Sequence, residues 1–556
     1  MRSLKKWPLL LVLILAMAMF LAACGGKDKE AGGDKKDNGN SEQTDDGNAK
    51  PADDQSIKVN IKTEPPSLHP GLATDTTSGA VLNQTFEGLL RMNQDEEVEP
   101  AMAEKYDVSD DKKTYTFHLR EDAKWSNGDP VTAADFEYAW KWILNPKNAD
   151  ADYAYQLYPI KGAEDAKENG ASMDDVGIEA KDDHTLVVEL ENPTAYFLDL
   201  TTTYTYFPVN EKVAKDNDKW ANDVSDDYVT NGPFLMKSWK HKDEIVLEKN
   251  PDYWDADTVK LENITMYMID DENTAKQMFD NGELDWLGDP LDAVPLAAIP
   301  ALKDSGDLNI NDKAGVYYYA FNIEEKPFDN VNIRKAFALS LDRKAIVDNI
   351  TKGEQKPAMA LVPPSIFKDN EKGYFKDNDI DEAKKYLEKG LKEEGLKKLP
   401  TVKISYNTDE GHQAIAQAAQ DMWKENLGVD VKLSNEEWAV YLDSMGAGDF
   451  QIGRMGWIGD FNDAINFLEI FQSKGGNNYT NWENDDYKKL LKQTRTEKDE
   501  KAREEILHKA EDLFMDELPL SPVYFYTNVW TQNEKLKNVE VSPLGNIQFK
   551  WGYLAE

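Results

Sequence analysis

Histidine, cysteine and paired carboxylates are the side chains best suited to catalysis or metal binding, and this sequence spaces them poorly for either. No two histidines lie within ten residues of each other, so none forms a local metal-binding pair. The phosphate-loop, dinucleotide-loop, nucleophile-elbow and zinc-helix motifs are missing from the sequence. With 104 acidic residues, no single pair of carboxylates stands out. A glycosidase-type catalytic pair is therefore kept as an alternative, but no motif in the sequence favours an enzyme. The histidines are His69, His118, His184, His241, His412 and His508.

Cys24 is the single cysteine, and its position indicates covalent lipid attachment. It ends the string Leu-Ala-Ala-Cys after a basic start and an apolar run over residues 9–23. This is the pattern of an export signal, and the string resembles the processing site of bacterial lipoproteins. A buried or incidental cysteine and a membrane anchor are the alternatives, although fifteen apolar residues are short of the roughly 20 that a membrane span needs. We therefore predict a signal peptide over 1–23 and a diacylated Cys24.

Composition restricts the partners of the exported chain. Without the three basic residues of the signal it has 61 basic and 104 acidic residues, a net charge near −43. Phosphate binding needs basic patches, so nucleic acid is excluded as a partner, and tight docking on an anionic bilayer is disfavoured. Fourteen Trp and 24 Tyr are more than a surface needs. We expect many in the core and some around a large cavity, because their rings combine apolar faces with a polar group.

The order of elements predicts an α/β protein that begins after a polar tether. Residues 25–56 contain no large apolar side chain and cannot form a core, so 24–56 is predicted to be a disordered tether. Alternating strand patterns and helical patterns then follow one another to the C-terminus. Thr132 and Asp135 form a capping-box pattern before an apolar helix face. Strands are predicted at 57–61, 115–119, 185–190, 245–247, 264–269, 316–319, 402–406 and 429–433, and helices at 332–350, 381–391, 412–427 and 485–518.

Several motifs in a fixed order resemble the oligopeptide-binding proteins of bacterial ABC importers, solute-binding protein family 5. They cover the chain from about residue 57 to its end. Each motif alone also has a structural interpretation as a turn or helix start. The motifs are W-S-N-G-D-P-V-T-A-A-D-F at 125–136, N-G-P-F at 231–234, N-P-D-Y-W at 250–254, P-F-D-N-V at 327–331, R-K-A at 334–336, L-D-R at 341–343 and R-M-G-W-I-G-D-F at 454–461.

The resemblance implies a bilobed clamshell of the type II periplasmic-binding class, with an extra subdomain in the first lobe. Lobe one would hold residues 57–314, with the subdomain inserted at about 87–206. Lobe two would hold 315–520, and 521–556 would return to lobe one. Two chain crossings between the lobes would form a hinge that closes on a ligand.

The resemblance also implies how a ligand is held. The family binds extended peptide through its backbone, which gives affinity without selecting side chains. Its pairing segments correspond to Ala73, Thr74, Asp75 and Thr76 in the first lobe, and to residues 456–458, starting at Gly456, in the second. Asp460 corresponds to the carboxylate that binds the ligand α-ammonium. A turn-capping role is the alternative for Asp460.

Cations and aromatic rings complete the implied site. Arg454 and His412 fall where the family meets the ligand carboxylate, although a histidine at a helix start is often only a neighbour of the cap. A further family cation falls near Thr351, where the adjacent Lys352 is a candidate substitute. Five aromatic residues match pocket walls, with core packing as the alternative: Trp438, Trp457, Tyr153, Tyr318 and Tyr526.

These inferences predict a receptor that does no chemistry. We expect a monomer without cofactor or metal, tethered by lipid at the outer face of the cell membrane, that captures oligopeptides and delivers them to an ABC permease. A receptor of the same fold for a nickel chelate or an oligosaccharide is one alternative, and such ligands would not need Asp460. A peptide-pheromone sensor is another.

Overall fold

The structure, a computed structural model, describes residues 50–94, 97–217 and 219–556. The predicted signal peptide, Cys24 and most of the tether lie outside these residues. Within them, no helix combines the length and apolar character that a membrane crossing requires.

Helices and strands alternate along the chain, as the sequence predicted. The strands are Ser56–Asn60, Leu90–Met92, Val98–Pro100, Ala103–Val108, Thr114–Leu119, Ile178–Asp182, Thr185–Glu189, Phe234–Lys240, Glu244–Lys249, Asn263–Tyr267, Trp286–Gly288, Asn309–Phe321, Lys356–Pro357, Val402–Asn407, Val431–Glu436, Ile452–Ile458, Leu520–Gln532, Leu536–Lys537, Glu540–Val541, Ile547–Gln548 and Tyr553–Leu554. The α-helices are Thr76–Thr85, Ala133–Leu144, Ala163–Asn169, Phe197–Leu200, Glu211–Ala214, Glu272–Asp280, Ile299–Ser305, Val331–Leu339, Arg343–Ile346, Ile380–Glu393, Glu410–Leu427, Trp438–Gly446, Ile465–Leu468, Asp485–Thr494 and Glu500–Glu517. Shorter helical turns are Asp152–Leu157, Met173–Asp175, Tyr204–Tyr206, Val347–Thr351, Lys368–Lys372 and Glu469–Phe471.

Two four-stranded sheets build the part of the molecule that we call the first lobe. In one, Ser56–Asn60 pairs in parallel with Asn263–Tyr267, and two antiparallel strands, Glu244–Lys249 and Phe234–Lys240, extend the sheet. The other is antiparallel throughout and is formed by the strands between residues 103 and 189. Both sheets lie within one large apolar core, in which Trp125 and Trp140 are fully buried.

A seven-stranded mixed sheet contains the strands of residues 315–520, the part that we call the second lobe, and extends into residues that were predicted for the first lobe. Its centre is formed by two 13-residue strands, Asn309–Phe321 and Leu520–Gln532, which pair antiparallel along most of their length. Ile452–Ile458 pairs antiparallel with the first of them, and Val402–Asn407 and Val431–Glu436 follow in parallel. The short strand Trp286–Gly288 is at the opposite edge. Each long strand is predicted to carry one of the two chain crossings.

Local sequence signals correctly predicted the helix that follows the turn at 125–130. Thr132 and Asp135 form the reciprocal capping box at the start of Ala133–Leu144, whose apolar face is buried. Two predicted long helices are each divided. The predicted helix 332–350 is interrupted after Leu339, and Asp342 caps a new helix. The break is fixed by Arg343, which is fully buried and whose Nε donates a 2.7 Å hydrogen bond to the carbonyl of Pro522. The stretch 485–518 breaks at residues 495–499, where Asp499 caps the second helix.

Candidate ligand-binding site

A cavity between the two lobes collects most of the residues that the sequence predicted for a ligand site. It is lined by both lobes and by the C-terminal segment. Ten of the twelve predicted ligand-site residues line it: Thr74, Asp75, Tyr153, Tyr318, Trp438, Arg454, Gly456, Trp457, Asp460 and Tyr526. Residues more than 400 positions apart in sequence thus meet around one space.

Asp460 is a partly buried carboxylate whose hydrogen-bond donors are neutral. It follows the strand Ile452–Ile458, and its Oδ2 accepts from Gln156 Nε2 at 2.9 Å and from Asn466 Nδ2 at 3.3 Å. In the described parts of the chain, no lysine, arginine or histidine forms an ion pair with it. Burial therefore raises the pKa of Asp460 to about 7, and the two amide donors only partly oppose this. Such a group favours a cationic ligand, because an ammonium would supply the missing charge.

Asn466 fixes the loop that carries Asp460. Its Oδ1 accepts from the backbone N–H of Asp460 at 3.0 Å and from Trp457 Nε1 at 3.1 Å. Asn466 is fully buried. The carboxylate and the neighbouring indole are therefore held by one shared side chain, which preorganises this end of the cavity.

Arg454 places a buried cation on the same strand, six residues before Asp460. Its Nη1 donates to Asn407 Oδ1 at 3.3 Å, its Nη2 donates to the Tyr526 hydroxyl at 2.7 Å, and its guanidinium lies 4.6 Å from the centre of the Tyr317 ring. Its Nε is buried without a hydrogen-bond partner. Since these partners are neutral, Arg454 retains capacity for an anion such as a carboxylate.

The strand between these two charges presents a free backbone edge. Gly459 N–H donates to Ala314 O at 2.8 Å, and Gly456 and Ile458 are opposite Tyr317 and Gly315. Because hydrogen-bonded and non-bonded pairs alternate along an antiparallel ladder, the backbone groups of Gly456 and Ile458 point away from that partner strand.

The other edge of this strand is paired only at its start. Pairing with Val402–Asn407 ends where Gly453 is opposite Ser405, and the described chain supplies no further strand there. The free edge therefore offers backbone donors and acceptors to an extended ligand, which is the mode called β-augmentation.

Aromatic rings from both lobes enclose the cavity. Tyr153 lies edge-on to Trp457, with ring centres 6.2 Å apart, and stacks with Tyr204 at 6.1 Å. Gly456 is required beside Tyr526, because a Cβ at position 456 would lie 2.4 Å from the Tyr526 hydroxyl oxygen. Rings of this kind suit varied apolar and polar side chains, so they do not select a single ligand residue.

The first-lobe segment has a mainly structural contact pattern. The Asp75 carboxylate caps the helix Thr76–Thr85 by accepting from the backbone of Thr77 at 3.0 Å and of Ser78 at 3.1 Å. Thr74 O accepts from the Tyr153 hydroxyl at 3.2 Å. Ala73 is buried in the core and does not line the cavity. Its predicted contact with ligand therefore has no counterpart in this arrangement.

His412 is not on the cavity wall either. It lies at the start of the helix Glu410–Leu427, with Nδ1 3.5 Å from Asp409 Oδ1 and its ring 5.5 Å from that of Tyr317. Burial, reinforced by the nearby Arg454 charge, lowers the pKa of His412 to about 3. Because His412 does not line the cavity, this arrangement gives no second cation from it at the carboxylate end.

Lys352, the candidate substitute for a cation near Thr351, does not line the cavity. Lys352 lines a separate shallow depression with Ile299 and Lys303. Thr351 is buried, and its hydroxyl donates to Gln355 Oε1 at 2.8 Å. Among the predicted cationic residues, Arg454 alone lines the cavity.

Sequence reasoning missed several cavity residues. It also missed Gln156, which does not line the cavity but bonds to Asp460, and for which no local signal existed. Gln156 lies in a short helical turn and reaches Asp460 only through the fold. The C-terminal segment was predicted to return to lobe one and to contribute only Tyr526 to the site. Its Asn546 bonds to Asn83 at 3.1 Å, and both line the cavity. Over the described residues, no group of three or more His, Cys, Asp or Glu side chains is arranged to hold a metal ion.

Comparison with known proteins agrees with this arrangement. The chain is 55% identical to "Oligopeptide-binding protein OppA" of Bacillus subtilis over 556 residues, which covers 99% of both chains. Among solved structures it is similar to OppA of Haemophilus influenzae in complex with the peptide RPPGFSPFR, at 33% identity and a TM-score of 0.85. That match covers 91% of this chain and 100% of the other.

One relative, the Escherichia coli murein tripeptide binding protein MppA, indicates how the lobes are arranged here. One of its structures matches with a TM-score of 0.83 at 30% identity, covering 91% of this chain and 99% of the other. A structure of MppA described as the unliganded open form matches with only 0.61 at 31% identity, although it covers 91% of this chain and 98% of the other. The lobes of this chain are therefore not arranged as in that open form.

Residues 97–479 match the family model described as bacterial extracellular solute-binding proteins, family 5. That segment includes both the Asp460 end and the Arg454 end of the cavity. With the bilobed α/β architecture and the relatives above, the match identifies the chain as a member of family 5 of the bacterial extracellular solute-binding proteins, with their type II clamshell fold.

Proposed function

We propose that this protein is a receptor that captures oligopeptides outside the cell membrane and delivers them to an ABC transporter. The observation that carries the proposal is the carboxylate of Asp460, which is partly buried, lacks an ion pair within the described residues and lies beside the free edge of the strand Ile452–Ile458. A peptide N-terminus supplies the ammonium, and its extended backbone supplies the missing strand. The names of the Bacillus and Haemophilus relatives support the same ligand class.

Binding in this proposal matches the charges of the ligand to Arg454, on the strand Ile452–Ile458, and to Asp460, just after it. The α-ammonium pairs with Asp460, and the carboxylate faces Arg454, which has only neutral hydrogen-bond partners. The backbone edge between them sets the register of the ligand. Tyr153, Tyr318, Trp438, Trp457 and Tyr526 surround the ligand side chains, and their broad apolar faces favour wide specificity.

Closure of the lobes accompanies binding in this proposal. Lobe one comprises 57–314 with the subdomain at about 87–206, lobe two comprises 315–520, and 521–556 returns to lobe one. The long paired strands Asn309–Phe321 and Leu520–Gln532 support this division, since each continues through a proposed boundary. The protein catalyses no reaction, needs no cofactor and acts as a monomer whose function is capture and release.

The receptor is held at the membrane by lipid on Cys24. The support is the basic start, the apolar run and the Leu-Ala-Ala-Cys string. Two or more acyl chains are needed for stable anchoring, because a single chain binds a bilayer only marginally. The polar tether over 24–56 then lets the folded part reach a permease while it stays attached.

Mass spectrometry of small molecules released from protein purified without denaturation tests this function. We expect a mixture of peptides with free N-termini and varied sequences. A metal chelate, an oligosaccharide or N-terminally blocked peptides as the dominant species would contradict the proposal.

A further inference from the structure

A second group of buried charges joins the lobes beside the cavity. Lys62 Nζ donates to Glu272 Oε1 at 2.8 Å in its own lobe and also to Asp409 Oδ2 of the second lobe. The side chains are 13%, 2% and 11% exposed respectively, so all three are largely removed from water. None of them lines the cavity. The contact between Lys62 and Asp409 therefore links the lobes without touching the ligand space.

The backbone at Lys62 is held in an uncommon conformation. Its φ is +65°, in the left-handed region that residues other than glycine rarely adopt. Asn60 supports this turn: its Oδ1 accepts from Lys62 N–H at 3.2 Å, and its Nδ2 donates to Asp292 Oδ2 at 2.6 Å. Backbone strain of this kind persists where surrounding contacts require it, and here it aims the lysine at the other lobe.

A neighbouring hydrogen bond crosses at the same place. Asn273 Nδ2 donates to Glu410 Oε1 at 2.9 Å and to Oε2 at 3.2 Å. Residues 272 and 273 begin one helix of the first lobe, and residues 409 and 410 begin one helix of the second. Two helix starts thus meet side by side, and opening the lobes would break both contacts.

Separating the lobes would alter the charge balance of this group. Lys62, Glu272 and Asp292 would remain together in the first lobe, and Asp409 would lose its lysine. In the second lobe Asp409 would be left beside His412, whose backbone N–H it caps at 2.7 Å. A charge-assisted hydrogen bond that exists only in the closed arrangement favours that arrangement.

We propose that Lys62 is a positioning residue that fastens the two lobes in the closed arrangement through Asp409. Closure then depends on a contact outside the ligand site as well as on the ligand. Retention of any ligand is strengthened by this contact, because the ligand leaves only when the lobes part. The inference concerns the closed arrangement itself and does not depend on the ligand being a peptide.

Two measurements on Lys62→Met test the inference: the radius of gyration of ligand-free protein by small-angle scattering, and the Kd of a tetrapeptide by calorimetry. If the free wild type is mostly closed, the variant should have the larger radius of gyration. If the free wild type is mostly open, Kd should rise about tenfold, because the bound state loses one charge-assisted bond. The scattering measurement needs no peptide, so it tests the contact between the lobes even if the protein binds no peptide. Failure of this inference is thereby distinguished from failure of the proposed function.

Two further variants sharpen the test. Asp409→Asn removes the charge but keeps a good helix cap, so its effect on closure should match that of Lys62→Met. The double variant should add little to either, since both remove one contact. Lys276→Met is the control, because Lys276 bonds to Asp280 at 2.6 Å within the first lobe, and it should change neither quantity. The proposal would be overturned if Lys62→Met, with normal thermal unfolding, had the same radius of gyration and the same Kd as the wild type.

Discussion

Gln156 and Asp460 belong to opposite lobes, and the Gln156 amide donates a 2.9 Å hydrogen bond to the Asp460 carboxylate. The donor is neutral, so it solvates the carboxylate without balancing its charge. This contact therefore satisfies one lone pair of the carboxylate and leaves its charge available for a cation. The pH behaviour of the protein should follow from it.

Peptide affinity should have a maximum near neutral pH. Burial raises the pKa of Asp460 to about 7, and an ammonium bound beside it would favour the ionised form. Below pH 7 binding must therefore release a proton, and Kd should rise by up to about tenfold per pH unit. Above about pH 8 the peptide ammonium itself is lost. Calorimetric Kd values between pH 5 and pH 9 check this, and a flat profile from pH 5 to pH 7 would contradict it.

The stability of the ligand-free protein should show the opposite trend. The folded-state pKa of Asp460 is raised above 3.8, so protonation stabilises the fold fully below about pH 4, and this contribution is lost as the pH rises to about 7. Asp460→Asn carries no charge at any pH. Its stability advantage over wild type should therefore widen from pH 4 to pH 7 and then stay constant. Urea unfolding of both proteins at several pH values measures this difference, and a pH-independent difference would argue against a buried ionisable Asp460.

Gly456→Ala should disturb the Arg454 end of the cavity. The new methyl group would lie 2.4 Å from the Tyr526 hydroxyl oxygen, which accepts the 2.7 Å bond from Arg454. We expect about tenfold weaker peptide binding from loss of that charge-assisted bond. The loss should be smaller in a Tyr526→Phe background, where the clashing oxygen is missing.

Gly446→Ala is the matched control for this variant, because a Cβ there has no neighbour within 4 Å. It should bind peptide as the wild type does. An equal loss from Gly456→Ala in the wild-type and Tyr526→Phe backgrounds, measured by calorimetry, would show that the hydroxyl contact is not the cause.

Cys24→Ala should release the protein from the membrane or leave its signal uncleaved, because no thiol remains to carry lipid. Fractionation of cells that express each form, with mass measurement of the N-terminal fragment, decides between the outcomes. Normal processing and full membrane retention of the variant would refute lipid attachment at Cys24.

Sequence patterns predicted local elements and the residues next to strong motifs. The capping box at Thr132 and Asp135 was readable, because neighbouring residues determine it. The strand before Asp460 was not predicted from local pattern, and Asp460 itself was found through the family motif that contains it. The break before Arg343 was not readable, since it depends on a distant carbonyl at Pro522.

Long-range partners also decided which predicted site residues reach the cavity. His412 does not line the cavity and is buried beside Asp409, whose partner Lys62 lies 347 residues away. Burial lowers the pKa of His412, although the Asp409 charge opposes this. Gln156 lies 304 residues from Asp460, and no spacing rule relates such positions. Charge pairing of this kind is settled by tertiary packing, which a single sequence does not display.

The central claim is that Asp460 binds a ligand ammonium, and a four-way calorimetric comparison tests it most directly. Wild type and Asp460→Asn are each titrated with a free tetrapeptide and with its N-acetylated form. Acetylation should weaken binding to the wild type by roughly two to three orders of magnitude, because a buried charge then lacks its partner. It should matter much less in Asp460→Asn, so the two changes should be strongly non-additive. Simple additivity of the two effects would contradict the ammonium site and, with it, the account of peptide recognition given above.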